Sequence, residues 1–104
     1  MSEYSVILST FLDRETAKKV AKLLVQQKLA ACVQLLPAES IYFWQNELYD
    51  HNEIILIIKS RTDFFDKIAA VIKENHSYQI PQIVQLPIAD GLSAYLDWIG
   101  KSVQ

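Results

Sequence analysis

Five consecutive large aliphatic residues, Ile54 to Ile58, constrain the fold of this chain more than any other stretch of its sequence. Side chains of a β-strand point alternately to the two faces of a sheet, so a strand with one face in water should alternate apolar and polar residues. A strand over this run carries aliphatic side chains on both faces. Burying one such side chain is worth about 1.5 to 3 kcal/mol, so both faces of the strand need a cover.

Four strands are predicted from runs of β-branched and other apolar residues, and they cover residues 4–11, 29–44, 48–59 and 80–88. Pro37 offers no N–H and predicts an edge or a bulge in the second strand. Gln45 and Asn46 predict a tight reversal, because asparagine tolerates a positive φ. The second and third strands therefore form a long hairpin.

Three helices are predicted from apolar residues at helical spacing. The first begins after Asp13, a suitable N-cap residue, and its apolar face is formed by Ala17, Val20, Ala21, Leu24 and Val25. The second begins near Thr62 or Asp63 and ends around His76, and the third covers residues 93–101.

This order of elements predicts an α+β, ferredoxin-like fold. A split βαβ arrangement builds an antiparallel sheet with two helices on one face, an extended hairpin between the second and third strands, and a short C-terminal helix. The 104 residues are expected to form a single domain, residues 1–104.

The cover for the second sheet face has to come from another molecule, because the short third helix cannot also shield the long hairpin. We therefore expect a homo-oligomer in which sheets pack on each other and hairpins add strands across subunits. The alternative is a monomer whose closing helix lies across the open face.

Charge and composition exclude several classes of partner. The net charge is −2 and the ten Lys and Arg are scattered among twelve Asp and Glu, so no nucleic acid is expected. The aliphatic run is far shorter than the roughly 20 residues of a membrane span, so no membrane partner is expected either. A single cysteine, Cys32, excludes an internal disulfide, and Glu3 stands where a signal peptide carries base, so we expect a cytoplasmic protein.

Few side chains suggest chemistry. His76 lies at the predicted end of the second helix, where the helix dipole favours an imidazolium. The alternative is that His76 is one ligand of a copper or zinc ion. Cys32 and His51 are the other candidate ligands, but they lie at opposite ends of the predicted hairpin and neither is placed near His76. Otherwise Cys32 is expected in the core and His51 at a solvated strand start. Glu53 and Lys59 flank the aliphatic run. They form a surface pair or, if the run is buried in an oligomer, they line a cleft. No paired nucleophile and base is evident, so we expect no enzyme.

Several stretches together resemble the CutA family of divalent-cation tolerance proteins, and they span nearly the whole chain. The segments that carry the resemblance are Leu29–Val33, Ile41–Trp44, Glu53–Lys59, His76–Ile83 and Tyr95–Trp98. The resemblance implies a ferredoxin-like subunit in a compact homotrimer, similar in architecture to PII-type signalling proteins, and a link to tolerance of copper and other divalent metals.

The chain departs from the family pattern at positions that bear on metal binding. Ser77 replaces the usual proline, Gln82 the usual glutamate and Asn46 the usual turn glycine. Members credited with copper binding carry a cysteine in the first strand and a second histidine just before the motif, where this chain has Ser9 and Asn75. His76 remains, so weak binding of copper or another divalent cation is expected, with no metal required for folding.

Two functions are consistent with this resemblance. In the first, a non-enzymatic trimer contributes to divalent-cation tolerance by weak metal binding at His76 or by signalling through a cleft between subunits. The residues expected to line that cleft are Trp44, Glu53, Lys59, Tyr78 and Pro81. In the second, a PII-like module binds a small metabolite or an unidentified protein partner, and metal is incidental.

The oligomer predicted from the aliphatic run is directly measurable. Light scattering at low micromolar concentration should give a mass that is a multiple of the 11.9 kDa chain, because a monomer would leave apolar sheet surface in water. A monodisperse monomer at that concentration would contradict the prediction.

Overall fold

The computed structural model describes residues 2–104. In chain order its elements are β1 (Tyr4–Phe11), α1 (Arg14–Gln26), β2 (Cys32–Trp44), β3 (Glu47–Arg61), a 3₁₀ turn (Thr62–Phe64), α2 (Phe65–Glu74), β4 (Ile83–Pro87) and α3 (Ser93–Ser102). The strands pair antiparallel in the order β2-β3-β1-β4. This confirms the predicted α+β, ferredoxin-like arrangement. Among residues 2–104, no helix has the length and apolar character needed to cross a membrane.

The local signals for the first helix and the hairpin turn are confirmed. The Asp13 carboxylate accepts a hydrogen bond of 2.8 Å from the Thr16 N–H, so Asp13 is the N-cap of α1. Gln45 and Asn46 have φ of 51° and 66°, the two positive values that a tight two-residue hairpin turn requires. Pro37 lies in β2, an edge strand with continuous register, so the missing N–H costs no ladder bond and no bulge is needed.

The boundaries around α2 and β4 differ from the prediction. The helix ends at Glu74, not His76, because the Asn75 side chain donates to the Val71 carbonyl and closes the last turn. Strand β4 begins at Ile83, not residue 80. The Tyr78 N–H donates to the His76 ring and is therefore lost to the sheet ladder. The segment between α2 and β4 is thus a compact loop.

The aliphatic run divides between the two faces of the sheet. Leu56 and Ile58 are fully buried beneath the helices, where they join Ile7 and Phe11 of β1. The helices supply the other side of this core with Val20 and Leu24 of α1 and Ile68 and Ile72 of α2. Val25, predicted on the apolar face of α1, is 43% exposed, because it lies at the margin of the stripe that contacts the sheet.

Helix α3 covers one end of the opposite sheet face. Ile99 is fully buried outside the main core, and the Lys59 ammonium lies 5.4 Å from the centre of the Tyr95 ring. The rest of that face stays open, with Leu36, Val84 and Leu86 each more than 40% exposed. Helix α3 thus shields only part of the face, and the homo-oligomer stays a prediction.

Two valines on α1 form a matched pair for testing the core. Replacing Val20 with Ala should lower the free energy of unfolding by about 2 kcal/mol, because it removes two buried methyl-sized groups and leaves a cavity. The same change at the exposed Val25 should alter it by less than about 0.5 kcal/mol. Urea unfolding of the two variants measures both changes. Equal losses of unfolding free energy would show that Val20 does not belong to the core.

Candidate functional site

A cavity of about 730 Å³ lies between one face of the β2-β3 hairpin and the loop that follows α2. The hairpin contributes Ser40, Tyr42, Trp44, Tyr49, His51 and Glu53, together with Ile41, which alternates with the first two on β2, and the loop contributes Tyr78, Gln79, Ile80 and Gln82. Leu12 and Thr10, at the end of β1, complete the wall. The cavity thus joins three segments that are distant in sequence.

Cross-strand register explains why the hairpin residues share one face. Tyr42 pairs with Tyr49 and Ser40 with His51, and residues two apart on a strand point the same way. The Tyr42 ring centre lies 5.3 Å from that of Tyr49 and 5.5 Å from that of His51. Phe43 points to the other face and is 73% exposed. The result is a continuous aromatic row along the cavity.

Glu53 stands at the inner end of this row and is only 5% exposed. The Tyr78 hydroxyl donates a 2.5 Å hydrogen bond to its Oε2 atom. Nε2 of His51 lies 3.9 Å from the same oxygen and 3.0 Å from the Tyr42 hydroxyl. A buried carboxylate is costly without such partners, so this acid depends on the groups around it.

The charge of Glu53 affects the neighbouring phenols. Burial, the hydrogen bond to Glu53 and the charge of Glu53 raise the pKa of Tyr78 well above its usual value. Burial, followed by the charges of Glu53 and Tyr49, raises the pKa of Tyr42. Both phenols stay protonated at neutral pH, and further negative charge in the cavity is disfavoured.

His76 lies behind the cavity wall, with both ring nitrogens bonded to the protein. Nδ1 accepts a 3.0 Å hydrogen bond from the Tyr78 N–H, so Nε2 must carry the proton that it donates to the Thr10 carbonyl at 2.6 Å. The ring also contacts those of Phe11 and Tyr78, with centres 4.5 and 4.6 Å away. His76 therefore does not cap α2 through its ring, and it fixes the position of Tyr78.

The residues predicted to line a cleft fall into two groups. Trp44, Glu53 and Tyr78 line the cavity together. Lys59 lies six residues beyond Glu53 on β3, about 20 Å away at about 3.3 Å per residue, and contacts α3 instead. Pro81 belongs to the same loop as Tyr78 but is not part of the wall.

His51 is the cavity residue that sequence reasoning did not include in the predicted cleft, since it was placed far from His76 and expected at a solvated strand start. The signal was its spacing of two residues from Glu53, which puts both side chains on one face of a strand. Within residues 2–104, no group of three His, Cys, Asp or Glu side chains is placed to hold a metal ion. His51 and Glu53 are a two-residue pair, short of the three or four protein ligands usual for zinc.

Comparison with known proteins shows the family to which the chain belongs. The family described as "CutA1 divalent ion tolerance protein" matches residues 5–102. The divalent-cation tolerance protein CutA of Thermus thermophilus is 44% identical over 98 residues, covering 93% of this chain and 95% of that protein. The Yersinia pestis protein of the same name is 40% identical over 99 residues, covering 94% and 83%.

Solved structures agree with the sequence comparison. The structure of the periplasmic divalent cation tolerance protein CutA from Archaeoglobus fulgidus has a TM-score of 0.94 at 36% identity and covers 97% of this chain and 99% of that one. CutA1 from Shewanella sp. SIB1, described as a stable protein, has a TM-score of 0.94 at 35% identity, covering 98% and 96%. The similarity therefore extends over the whole fold.

Burial of Tyr78, together with its hydrogen bond to Glu53 and the charge of Glu53, makes the stability of the fold depend on alkaline pH. The phenol loses its proton near pH 10 in the unfolded chain but at higher pH in the folded one, so stability falls as pH rises above about 10. Tyr78→Phe should cost about 1 to 2 kcal/mol at pH 7 and flatten this alkaline loss. Urea unfolding at pH 7 and at high pH measures both effects.

Tyr95→Phe is the control, because no hydrogen bond of the Tyr95 hydroxyl to another side chain is present among residues 2–104. It should leave both quantities unchanged. Equal behaviour of the two variants would show that the contact with Glu53 does not stabilise the fold.

Proposed function

Because the chain belongs to the CutA1 family of divalent ion tolerance proteins, we propose that it contributes to divalent-cation tolerance as a binding module and not as an enzyme. The cavity between hairpin and loop is its ligand site. Among residues 2–104, no cysteine or lysine lines this cavity, and His51 is hydrogen-bonded to Tyr42 rather than to a serine or threonine. A serine, threonine or cysteine nucleophile paired with a histidine base is therefore missing from the described wall.

The buried Glu53 carboxylate beside the His51 imidazole is the observation that carries this proposal. Their facing atoms are 3.9 Å apart, close enough for one ion bound to each at about 2.1 Å once His51 Nε2 gives up its hydrogen bond with the Tyr42 hydroxyl. Imidazole and carboxylate suit copper and zinc among the divalent ions. Two protein ligands give weak binding, and we propose that the fold does not require the metal.

His76, the predicted metal ligand, is the alternative. Metal binding there would have to replace the hydrogen bond to Thr10 or the one from Tyr78. Losing the second would also release the Tyr78 hydroxyl from Glu53, so a metal at His76 would disturb the cavity itself.

We further propose that the chain acts as a homotrimer, with the cavity opening into a cleft between subunits. The open sheet face with Leu36, Val84 and Leu86, and the exposed Phe43 on the hairpin, supply the apolar surface for assembly. Lys59 and Pro81 are proposed to face that cleft from outside the cavity. A cytoplasmic location is proposed from the single cysteine. The Archaeoglobus fulgidus relative is described as periplasmic.

A small metabolite or a protein partner is the second candidate, and the size of the cavity favours a metabolite. About 730 Å³ is far more than one ion occupies, and it lies within the roughly 300 to 1,000 Å³ typical of small-molecule sites. A PII-like signalling role would then make metal binding incidental.

Calorimetric titration with Cu(II) distinguishes the two histidines. The wild type should bind weakly, and His51→Ala should lower the affinity at least about tenfold because it removes a ligand. His76→Ala should change the affinity by less than about threefold, since its nitrogens are engaged elsewhere. Circular dichroism confirms that both variants fold.

Glu53→Gln should lower the Cu(II) affinity as His51→Ala does. Glu39 is an exposed acid on the other face of the hairpin, so Glu39→Gln should bind Cu(II) like the wild type. Selective loss in His76→Ala would move the site to His76. Equal binding by all variants would reduce it to surface binding and remove the metal proposal.

A further inference from the structure

The charge inside the cavity restricts its ligand more than its shape does. Among residues 2–104, Glu53 is the one carboxylate in the wall, and no lysine or arginine lines the cavity. A phosphate, nucleotide or carboxylate ligand would therefore meet a buried negative charge with no lysine or arginine side chain to offset it. Burial raises the pKa values of Tyr42 and Tyr78, and the charge of Glu53 adds to this rise. The cavity thus disfavours anions and favours a cation.

The aromatic row gives that cation a second kind of contact. Tyr42, Tyr49 and His51 lie side by side with ring centres 5.3 to 6.1 Å apart, and Trp44 extends the row toward the hairpin turn. The faces of tyrosine and tryptophan carry negative potential and attract ammonium groups within about 6 Å. A carboxylate at one end of an aromatic row is an arrangement typical of ammonium recognition.

Glu53 has capacity for a further partner. The Tyr78 hydroxyl donates to Oε2, and within residues 2–104 no side-chain or backbone hydrogen bond reaches Oε1. A neutral phenol satisfies part of a buried carboxylate but supplies no opposite charge. A ligand N–H group carrying positive charge would provide both.

The apolar part of the wall indicates that the ligand also has an apolar portion. Leu12, Ile41 and Ile80 contribute apolar surface, and each is at least half exposed in the open cavity. A hydrated metal ion would leave this surface and most of the volume unused. An organic cation with an apolar portion would cover both.

We propose that this cavity binds a small organic cation, a protonated amine with an apolar or aromatic body, with its ammonium group between Glu53 and the aromatic row. The inference rests on the proposed function in one respect, since both place the ligand in the same cavity. It goes further by naming the chemical class of the ligand, and it requires no metal.

Three probes of nearly equal shape test the charge requirement. Phenethylamine is a cation at neutral pH, 2-phenylethanol is its neutral counterpart and phenylacetate is an anion. Calorimetric titration of the full chain, with a chelator present, should show phenethylamine binding at least about tenfold more tightly than 2-phenylethanol and phenylacetate not binding. Equal affinity for the amine and the alcohol would overturn the proposal.

Variants identify the groups responsible. Glu53→Gln should weaken phenethylamine binding about tenfold and Tyr49→Leu severalfold, whereas Glu39→Gln should leave it unchanged. Unaltered binding by Glu53→Gln would place the amine outside the cavity and overturn the proposal. If Glu53→Gln does not fold, the comparison of the three probes in the wild type still decides it.

The metal proposal and the organic-cation proposal are tested by independent experiments. The Cu(II) titration contains no amine and the amine titration contains no free metal. Absence of phenethylamine binding, with Cu(II) bound as expected, would leave the divalent-cation proposal intact and remove the organic ligand. The reverse result would identify the cavity as an amine site alone.

Discussion

The structure depends on burying a strand that is apolar on both faces. Leu56 and Ile58 of β3 lie in the core beneath α1 and α2, while the alternate residues of the same run face the other side of the sheet. Because β3 is a central strand, this run fixes its neighbours β1 and β2 as well. The same residues leave apolar surface beyond the reach of α3, which connects the fold of one chain to the proposed assembly of several.

The candidate site depends on one chain of hydrogen bonds from the loop to the hairpin. His76 bonds to the Thr10 carbonyl and holds the Tyr78 N–H, and the Tyr78 hydroxyl then reaches Glu53. The histidine acts here as a structural support and the glutamate as the charged centre. In this arrangement, the residue that first suggested metal chemistry orients the Tyr78 side chain that contacts Glu53 in the cavity.

The functional proposals share one electrostatic basis. A carboxylate withdrawn from water, with a phenol and an imidazole as its neighbours, is completed by a positive charge. A divalent ion and an organic ammonium group are alternative ways to supply it, and they use different parts of the wall. His51 serves the first, and the row formed with Tyr42, Tyr49 and Trp44 serves the second.

The sequence alone determined the features that depend on residues close in the chain. These are the strand and helix types, the Asp13 cap, the Asn46 turn and the run of β3 that is apolar on both faces. The sequence also predicted Trp44, Glu53 and Tyr78 as cleft residues, and the three line one cavity. Only the tertiary structure decided that His51 belongs with them and that Lys59 lies about 20 Å away along β3 at about 3.3 Å per residue. It also decided that His76 turns to a carbonyl 66 residues earlier. Those outcomes depend on strand register and long-range contacts, which no short stretch of sequence specifies.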